Sequence, residues 1–292
     1  MRHIWFSLVL AVCASCGSGG SAGPDGGGGG GGGGSPTETK SGTLTIESTR
    51  YTVASTQVEQ GYATGTFYRI PPMTGPGGGG CTSHTYGACD VQTCTFSGTG
   101  NDAGTSIMYT DAGTMTIMGV QVNNGTMTLT PGAYGYDTVS GSVALFDGGE
   151  TLHFAAPGNP NGAPALNAQL VAPSSVQVTA PQFDQGHVTA SASQDLAVAW
   201  TGSSATSVTA QLAAGSGTTS AIAHCTFAGT AGGGVVPSAA IAAIAAVGGT
   251  SSIMIMTESR TTLTPDGWSI TFSAQSYGIL PTGLAAGTLD IQ

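Results

Sequence analysis

Charged side chains are scarce in this sequence. Only 7% of its 292 residues are Asp, Glu, Lys or Arg, and five basic residues stand against 15 acidic ones. An ordinary soluble domain has about 25% charged residues. Nucleic acids and anionic lipid surfaces are bound mainly through Lys and Arg, so the composition argues against both kinds of partner.

Long hydrophobic runs are lacking as well. Beyond residue 16 no apolar stretch approaches the roughly 20 residues that a membrane-spanning helix needs, although apolar residues make up 40% of the chain. Ser, Thr, Gly, Asn and Gln stand where charge would be expected. Threonine is β-branched and suits a half-buried strand. The composition therefore predicts a packed β protein with a polar but largely uncharged surface.

The first 16 residues have the layout of an export signal. A basic start is followed by an apolar segment over residues 4–12 and then by Cys13-Ala14-Ser15-Cys16. A segment this short is typical of a cleaved signal rather than of a membrane span. The two small residues ahead of Cys16 resemble the lipobox of bacterial lipoproteins, with Cys13 where an aliphatic residue is usual. This resemblance implies a signal peptide over 1–15 and a lipid on Cys16. Cleavage after Ala14 is the alternative, and it would release a soluble secreted protein.

The residues that follow predict a flexible tether over 16–42. Gly26 to Gly34 are nine consecutive glycines. Such a run has no side chains to bury and behaves as a flexible coil, and a tether of this length would reach roughly 28 Å on average. A tether is most useful when its far end is anchored, which agrees with a lipid on Cys16.

From residue 43 onwards the dominant sequence period is two, the pattern of β-strands. Clear alternation occurs over residues 43–47, 114–117, 175–178 and 269–272. Turn chemistry predicts two hairpins, one around Asn123-Asn124-Gly125 between 120–122 and 126–129, and one around Asp147-Gly148-Gly149 between 143–146 and 151–154. Pro265-Asp266-Gly267 predicts a further turn ahead of the strand at Trp268. Many short strands separated by turns favour an all-β antiparallel sandwich.

One helix and one boundary interrupt the strands. Residues 237–247 combine a first-turn proline with a run of alanines and predict a short helix, closed by two glycines. The Pro- and Gly-rich stretch 156–164 divides the body into an N-terminal β unit, 43–160, and a C-terminal one, 161–292. Cys94–Thr99 recurs in weakened form as Cys225–Thr230, which favours two packed units. A single larger sandwich is the alternative.

Four cysteines follow the signal, and in an exported protein they predict two disulfides. Three connectivities are open. Each of Cys94 and Cys225 is followed two positions later by a phenylalanine on the same strand face. This likeness favours a bond between Cys94 and Cys225, which leaves a local bond between Cys81 and Cys89. A zinc site that adds His84 is the alternative. However, Cys81, Cys89 and Cys94 are eight and five positions apart, whereas zinc sites usually contain Cys pairs separated by only about two to four residues. No metal is predicted.

No motif for catalysis or for a cofactor is present in a fitting context. The only Gly-x-Ser-x-Gly match lies at residues 19–23 in the tether, whereas a nucleophile of this kind needs a strand-to-helix turn. His153 and His224 lie in predicted strands and are interpreted as sheet residues. The Asp-Ala-Gly-Thr sequence at Asp111 is interpreted as turn chemistry. We therefore predict no catalytic residue and no cofactor.

Aromatic side chains are the remaining candidates for ligand binding. Trp200 lies in a strand pattern that resembles the core strand of immunoglobulin-like sandwiches, and buried packing is the expectation for it and for Trp268. Tyr134 and Tyr136 follow Pro131-Gly132 on a predicted loop, from which they could stack on sugar rings. They are the predicted ligand-binding residues.

The layout as a whole resembles uncharacterised bacterial envelope lipoproteins with Gly-rich tethers and Thr-rich, immunoglobulin-like β-sandwich domains. The resemblance implies anchoring to the outer membrane or cell surface through the lipid, with polysaccharide or another envelope protein as partner and no nucleic acid. The expected function is a non-enzymatic structural, adhesion or binding module. A carbohydrate-binding module that uses the loop tyrosines is one alternative, and a hydrolase without a sequence signature is another.

Overall fold

The computed structural model describes residues 38–53, 55–71, 80–95, 107–133, 135–202 and 205–292. The predicted signal, Cys16, nearly all of the tether and Tyr134 lie outside the described residues. The tether was predicted to run to residue 42, but the first strand already begins at Thr39. Residues 39–42 therefore belong to the folded body, because they pair along Arg69, Tyr68 and their neighbours in the next strand.

The described chain is built almost entirely of strands. They are named β1 to β22 in chain order and span Thr39–Val53, Thr56–Ile70, Cys81–Tyr86, Cys89–Thr95, Met108–Thr110, Met115–Met118, Thr126–Leu129, Pro131–Gly132, Gly135–Gly141, Thr151–Ala156, Leu166–Val171, Gln177–Ala180, His187–Ala190, Leu196–Thr201, Ser207–Ser216, Thr219–Ala228, Gly233–Val236, Thr250–Leu263, Trp268–Tyr277, Ile279–Leu280, Gly283–Leu284 and Ala286–Ile291. A single α-helix among the described residues, α1, spans Ser238–Ala245.

A large sheet of 13 strands organises the molecule. Its order is β3-β4-β16-β15-β18-β19-β1-β2-β9-β8, with β5 beside β2, and with β22 and then β13 along the free part of β18. Most neighbours are antiparallel, but β1 pairs with β19 in parallel, as β13 does with β22. Strands from both ends of the sequence therefore meet in the middle of the sheet.

Two smaller sheets pack against the large one. The four-stranded sheet β11-β10-β6-β7 encloses a first core with β1, β2 and β19, centred on Leu44, Phe67, Phe154 and Phe272. The five-stranded sheet β17-β14-β12-β20-β21 and helix α1 enclose a second core with β4, β15, β16 and β18. Layered sheets around buried apolar side chains confirm the predicted all-β sandwich class. The immunoglobulin-like arrangement stays a prediction.

Both cores lie on the same side of the large sheet. Ala274 of the first core is opposite Ser259 in β18, and Ile255, four residues before Ser259, is opposite Ala210 of the second core. Residues an even number of positions apart in a strand point to the same side. We call the other side the open face; it is formed by Thr43, Thr45, Glu47, Thr49 and Tyr51 of β1, Tyr62, Thr64 and Thr66 of β2, Thr271, Ser273, Gln275 and Tyr277 of β19, and Met254, Met256, Glu258, Arg260 and Thr262 of β18. Four of these residues, Thr49, Ser273, Met256 and Glu258, are themselves buried.

The predicted division at residue 160 does not describe this architecture. The first core combines residues of β1 and β2 with Trp268, Ile270 and Phe272 of β19, more than 100 residues beyond the boundary. The second core includes Cys89 and Val91 from before it. The predicted units 43–160 and 161–292 therefore share one sheet and both cores, because β1 pairs with β19 and β4 with β16.

Helix α1 confirms the helix predicted over 237–247. Pro237 precedes it, and the Ser238 N–H donates to Asp195 Oδ1 at 2.7 Å, which satisfies one of the free amides of the first turn. Ala240, Ile241 and Ile244 are buried against β15, β16 and β4. The helix closes one end of the second core.

The turn predictions met different outcomes. The turn at Pro265-Asp266-Gly267 connects β18 with β19 as predicted. A hairpin does form around Asn124, but Met115–Met118 is the strand that pairs with Thr126–Leu129, and residues 120–122 are not a strand. The hairpin predicted around Gly148 does not form in residues 143–154, all of which the structure describes. Residues 143–146 form no strand because the Ser48 hydroxyl accepts the N–H groups of Leu145 and Phe146.

The predicted disulfide pairing was wrong. The bonds join Cys81 with Cys94 and Cys89 with Cys225. Cys81 is opposite Cys94 in the β3–β4 hairpin, whereas the register of β16 against β4 places Ser220, and not Cys225, opposite Cys94. The likeness of the sequences around Cys94 and Cys225 does not determine strand register, and register decides which sulfurs meet.

Candidate functional site

The predicted ligand-binding tyrosine Tyr136 is a core residue. It is 5% exposed, and its ring packs edge-on against Phe67 with centroids 5.7 Å apart. Its hydroxyl accepts the Ala112 N–H at 3.0 Å and donates to the Gly113 carbonyl at 2.7 Å. Burial raises its pKa to about 12, against the hydrogen bond from Ala112. Tyr136 therefore cannot stack on a ligand, and Tyr134 lies outside the described residues.

Both tryptophans that were expected in the core are there. Trp200 is 2% exposed, and its indole N–H donates to the Gly229 carbonyl at 2.9 Å. Trp268 is equally buried in the first core. Asp111 is confirmed as turn chemistry, because its carboxylate accepts the Gly113 N–H and the Asn159 amide. His153 and His224 lie within strands as predicted.

The open face gathers tyrosines instead. Tyr62 of β2 is opposite Glu47 of β1, and Gln275 of β19 is opposite Glu47 on the other side. The Tyr277 hydroxyl donates to Glu47 Oε2 over 3.4 Å, and Tyr51 takes the same side of β1. All three tyrosines are partly exposed. We call Tyr51, Tyr62, Tyr277 and Glu47 the tyrosine cluster.

A second carboxylate continues the row of Glu47 across the sheet. Glu258 of β18 is opposite Gln275, whose amide donates to Glu258 Oε1 at 3.1 Å. The Arg260 guanidinium donates to both carboxylate oxygens, at 2.9 and 3.1 Å. Glu258 is 6% exposed, so these hydrogen bonds compensate for the loss of water around it. We call Tyr62, Glu47, Gln275 and Glu258, with Arg260 beside them, the polar row.

The two glutamates of the polar row carry charge differently. Burial raises the pKa of Glu47, and the hydrogen bond from Tyr277 only partly offsets it. Burial, the charge of Glu47 and the hydrogen bond to it raise the pKa of Tyr277 in turn. Glu258 has a guanidinium as direct partner, whereas Glu47 has a neutral phenol. The Glu258 carboxylate is therefore balanced by a cation, whereas the Glu47 carboxylate is not.

Two rows of hydroxyl groups lie beside the polar row on the open face. They are on the side towards the N-terminal end of β1. Thr66, Thr43, Thr271 and Thr262 form one cross-strand row, and Thr64, Thr45 and Ser273 form the next. Neighbouring strands are about 4.8 Å apart, and alternate residues along a strand about 6.7 Å. Hydroxyls link the strands between Thr45 and Ser273 at 3.1 Å and between Thr262 and Thr271 at 3.2 Å. The result is a regular grid of hydrogen-bonding groups.

A shallow depression elsewhere has a volume of about 480 Å³. It lies between the end of α1, the start of β18 and β22, and its lining consists largely of small residues such as Gly248, Gly249 and Ser251. Asp290 at its rim pairs with His187 at 2.9 Å, and both side chains are about half exposed. This arrangement joins strands β13 and β22 and concentrates no further reactive groups.

The described part of the chain contains no cluster of three or more His, Cys, Asp or Glu side chains that could bind a metal ion. Within the same residues no helix has the length and apolar character to cross a membrane. No protein-family model matches the chain, and no curated protein matches it significantly.

Sequence reasoning missed the open face because its residues come from distant segments. Tyr62 and Tyr277 are separated by more than 200 residues, and only the register of β2, β1 and β19 brings them to one place. The alternation of Thr43, Thr45 and Glu47 with Leu44 and Ile46 was a usable signal for one polar strand face. What such a face can do chemically is to donate and accept hydrogen bonds and to offer aromatic surface.

Proposed function

We propose that this protein is an exported, lipid-anchored binding module of the bacterial envelope, without a catalytic role, that contacts its ligand through the open face of the large sheet. The export signal, Cys16 and the glycine tether are sequence-based parts of this proposal. The observation that carries the binding role is the row of Tyr62, Glu47, Gln275 and Arg260, which are partly exposed or exposed beside threonine hydroxyls on a sheet whose opposite side holds both cores.

A binding role suits the way the carboxylates are held. Glu258 is engaged by Arg260 and Gln275, and Glu47 by Tyr277. Their strands are separated by β19, so their backbones are about 10 Å apart on a continuous sheet surface. Side chains fixed by their neighbours on paired strands form a pre-organised surface, which lowers the entropic cost of binding.

Cosedimentation of the full chain with isolated bacterial envelope fragments tests the binding face. Thr43→Lys with Thr64→Lys places two long side chains on the open face, and we expect bound protein to fall at least tenfold. Thr126→Lys with Thr128→Lys is the matched control, since these exposed threonines lie on β7 of the four-stranded sheet. Equal loss in both variants, or no loss in either, would refute the open face as the binding surface. Unchanged thermal unfolding confirms that each variant is folded.

The lipid anchor has a test of its own. Cys16→Ser removes the thiol that would carry the lipid, and we expect the protein to move from the membrane fraction to the soluble fraction of a bacterial export host. Cys13→Ser is the matched control and should leave the protein in the membrane fraction. A wild-type protein that is itself soluble, with a mature chain starting at Ser15, would contradict lipid anchoring.

A further inference from the structure

We propose that the polar row and the tyrosine cluster bind an extended chain of a neutral polysaccharide. This inference rests on the proposed function, since it names the ligand class of the open face. It replaces the loop site around Tyr136, which the fold buries.

The first support is the mixture of hydrogen-bonding groups in one row. Gln275 and Arg260 present a primary amide and an exposed guanidinium, both held by the buried Glu258 carboxylate, and the partly exposed Glu47 carboxylate stands opposite Gln275. Carboxylates accept, guanidinium groups donate and amides do both. Sugar hydroxyls are donors and acceptors at once, and neighbouring hydroxyls on a ring match planar side chains that offer two hydrogen-bonding atoms.

The second support is the aromatic surface at the same place. Tyr62 stands next to Glu47, and the Tyr277 hydroxyl reaches the same carboxylate. Tyrosine combines an apolar ring face with a polar end and has few rotatable bonds, so it offers contact area at a low entropic cost. The apolar faces of sugar rings pack on such rings while their hydroxyls bond to the surroundings.

The third support is charge. Arg260 is the cation of the polar row, and it is already paired with Glu258. An anionic polymer would approach two glutamates in a chain whose net charge is −10, which is unfavourable. A cationic polymer would find Glu258 neutralised and Glu47 beside a phenol rather than exposed as a free anion. Complementarity in charge and in hydrogen bonding therefore favours a neutral ligand.

The fourth support is extent. The polar row crosses β2, β1, β19 and β18, a distance of about 14 Å between the outer strands. Threonine and serine hydroxyls continue the surface along β1 and β19. A surface of this length and regularity suits several successive sugar units rather than a single sugar.

Affinity electrophoresis of the full chain tests the proposal. Native gels contain one soluble polymer each: the neutral polymers barley β-glucan, arabinoxylan, galactomannan and dextran, the anionic alginate, and no polymer as reference. We expect at least one neutral polymer to retard the protein, alginate not to, and added salt to leave the retardation unchanged. Tyr62→Ala with Gln275→Ala should weaken the affinity about tenfold, the scale of one aromatic contact or good hydrogen bond.

Two controls separate the site from general effects on the fold. Tyr62→Phe keeps the ring and should keep most of the retardation, and Gln169→Ala alters an exposed amide on β11 of the four-stranded sheet and should change nothing. If the double variant unfolds, Gln275→Ala alone is measured. Retardation that the polar-row variants do not weaken would overturn the site.

The ligand class and the proposed function can fail separately. If no neutral polymer retards the protein while envelope fragments still bind through the open face, the polysaccharide proposal is wrong and a protein ligand takes its place. If retardation occurs only with alginate or disappears in salt, the charge argument is wrong. If neither polymers nor envelope fragments bind, the binding function itself fails.

Discussion

Two glutamates of this chain respond to folding in opposite ways. Burial raises the pKa of Glu47 above its ordinary value of 4.5. Burial alone would also raise the pKa of Glu150, but the N–H groups of Asp147 and Gly148 and the amide of Gln121 hold its carboxylate and lower the pKa. Ionisation therefore opposes folding at Glu47 and supports it at Glu150.

Glu47→Gln should stabilise the protein at neutral pH. A raised pKa means that Glu47 contributes its full stability below pH 4.5 and loses it as the pH rises through the folded-state value. The neutral amide keeps the shape without that loss. We expect the free energy of unfolding in urea to rise by up to about 1 kcal/mol at pH 7 and to be unchanged near pH 3.5. A loss at pH 7 would contradict this assignment.

Glu150→Gln should do the reverse. With a lowered pKa, Glu150 contributes stability above pH 4.5 that disappears as the pH falls through the folded-state value. The amide cannot accept all of these hydrogen bonds as strongly, so we expect a loss of about 1 kcal/mol at pH 7, reduced by the partial exposure of the site. The difference from wild type should vanish near pH 3. An equal loss at both pH values would point to packing instead of charge.

At this scale the sequence allows only part of the site to be predicted. Trp200 was expected in the core because large aromatics in an alternating strand are usually buried, and it is buried. Tyr136 follows a Pro-Gly pair and was predicted, with Tyr134, to bind a ligand from a loop. Its strand β9 instead pairs with β2, and its hydroxyl finds partners in the backbone of residues 112–113. Local turn chemistry does not show where a strand will dock.

At the scale of elements, the disulfides join three strands at one edge of the large sheet. Cys81–Cys94 closes the β3–β4 hairpin over a separation of 13 residues, and Cys89–Cys225 joins β4 to β16 over 136 residues. Both bonds connect residues that face each other in the ladders. The short bond holds a local hairpin, whereas the long bond ties distant parts of the chain and lies in the second core.

Removing the two bonds should have unequal effects. On the chain-entropy model the short loop contributes about 3 kcal/mol and the long loop between 4 and 5 kcal/mol, roughly. We expect Cys89→Ala with Cys225→Ala to lower the free energy of unfolding more than Cys81→Ala with Cys94→Ala, measured by urea denaturation without reductant. Peptide mapping of the wild-type protein verifies the pairing. A larger loss in the hairpin variant would contradict the structure.

Elements were predictable where local pattern and local turns agree. The strand at Trp268 follows a Pro-Asp-Gly turn and pairs back onto β18 as expected. Residues 143–146 also have an alternating apolar pattern beside a Gly-rich turn, yet the Ser48 hydroxyl takes two of their amides. A partner almost 100 residues away thus removes the hydrogen bonds that a strand would need.

For the whole molecule, the decisive pairing is that of β1 with β19. It places the first described strand and one of the last side by side in the middle of the large sheet. Neither part of the chain can complete the first core alone, because Leu44 and Phe272 face each other there.

Fragments cut at the predicted boundary should therefore fail to fold separately. We expect residues 38–160 and 161–292, produced apart, to show neither near-UV circular dichroism nor a cooperative urea transition, while the full chain shows both. A circularly permuted chain that keeps all the strands serves as a control for the cut itself. A cooperative transition in either fragment would contradict the shared cores.

The whole-molecule arrangement is the part that the sequence predicted least. The Pro- and Gly-rich stretch 156–164 looks like a linker, but it packs as a loop: the Asn159 amide bonds to Asp111, and the Ala163 N–H to the Asp111 carbonyl. Alternation shows that a segment is a strand but carries no information about its neighbour in a sheet. With many similar Thr-rich strands, partner choice depends on the packing of the complete chain.

The central place of β1 has a mechanical consequence. A pull on the chain ahead of Thr39 enters the fold along β1, which is paired over its whole length with β2 and over residues 40–47 with β19. Ladder hydrogen bonds lie across the strand direction, so this force shears many of them together instead of opening them one by one. Glu47 and two threonines of the open face, Thr43 and Thr45, stand on the same strand. Drag on the proposed ligand and resistance from the proposed lipid anchor would thus meet in one strand, without passing through the smaller sheets.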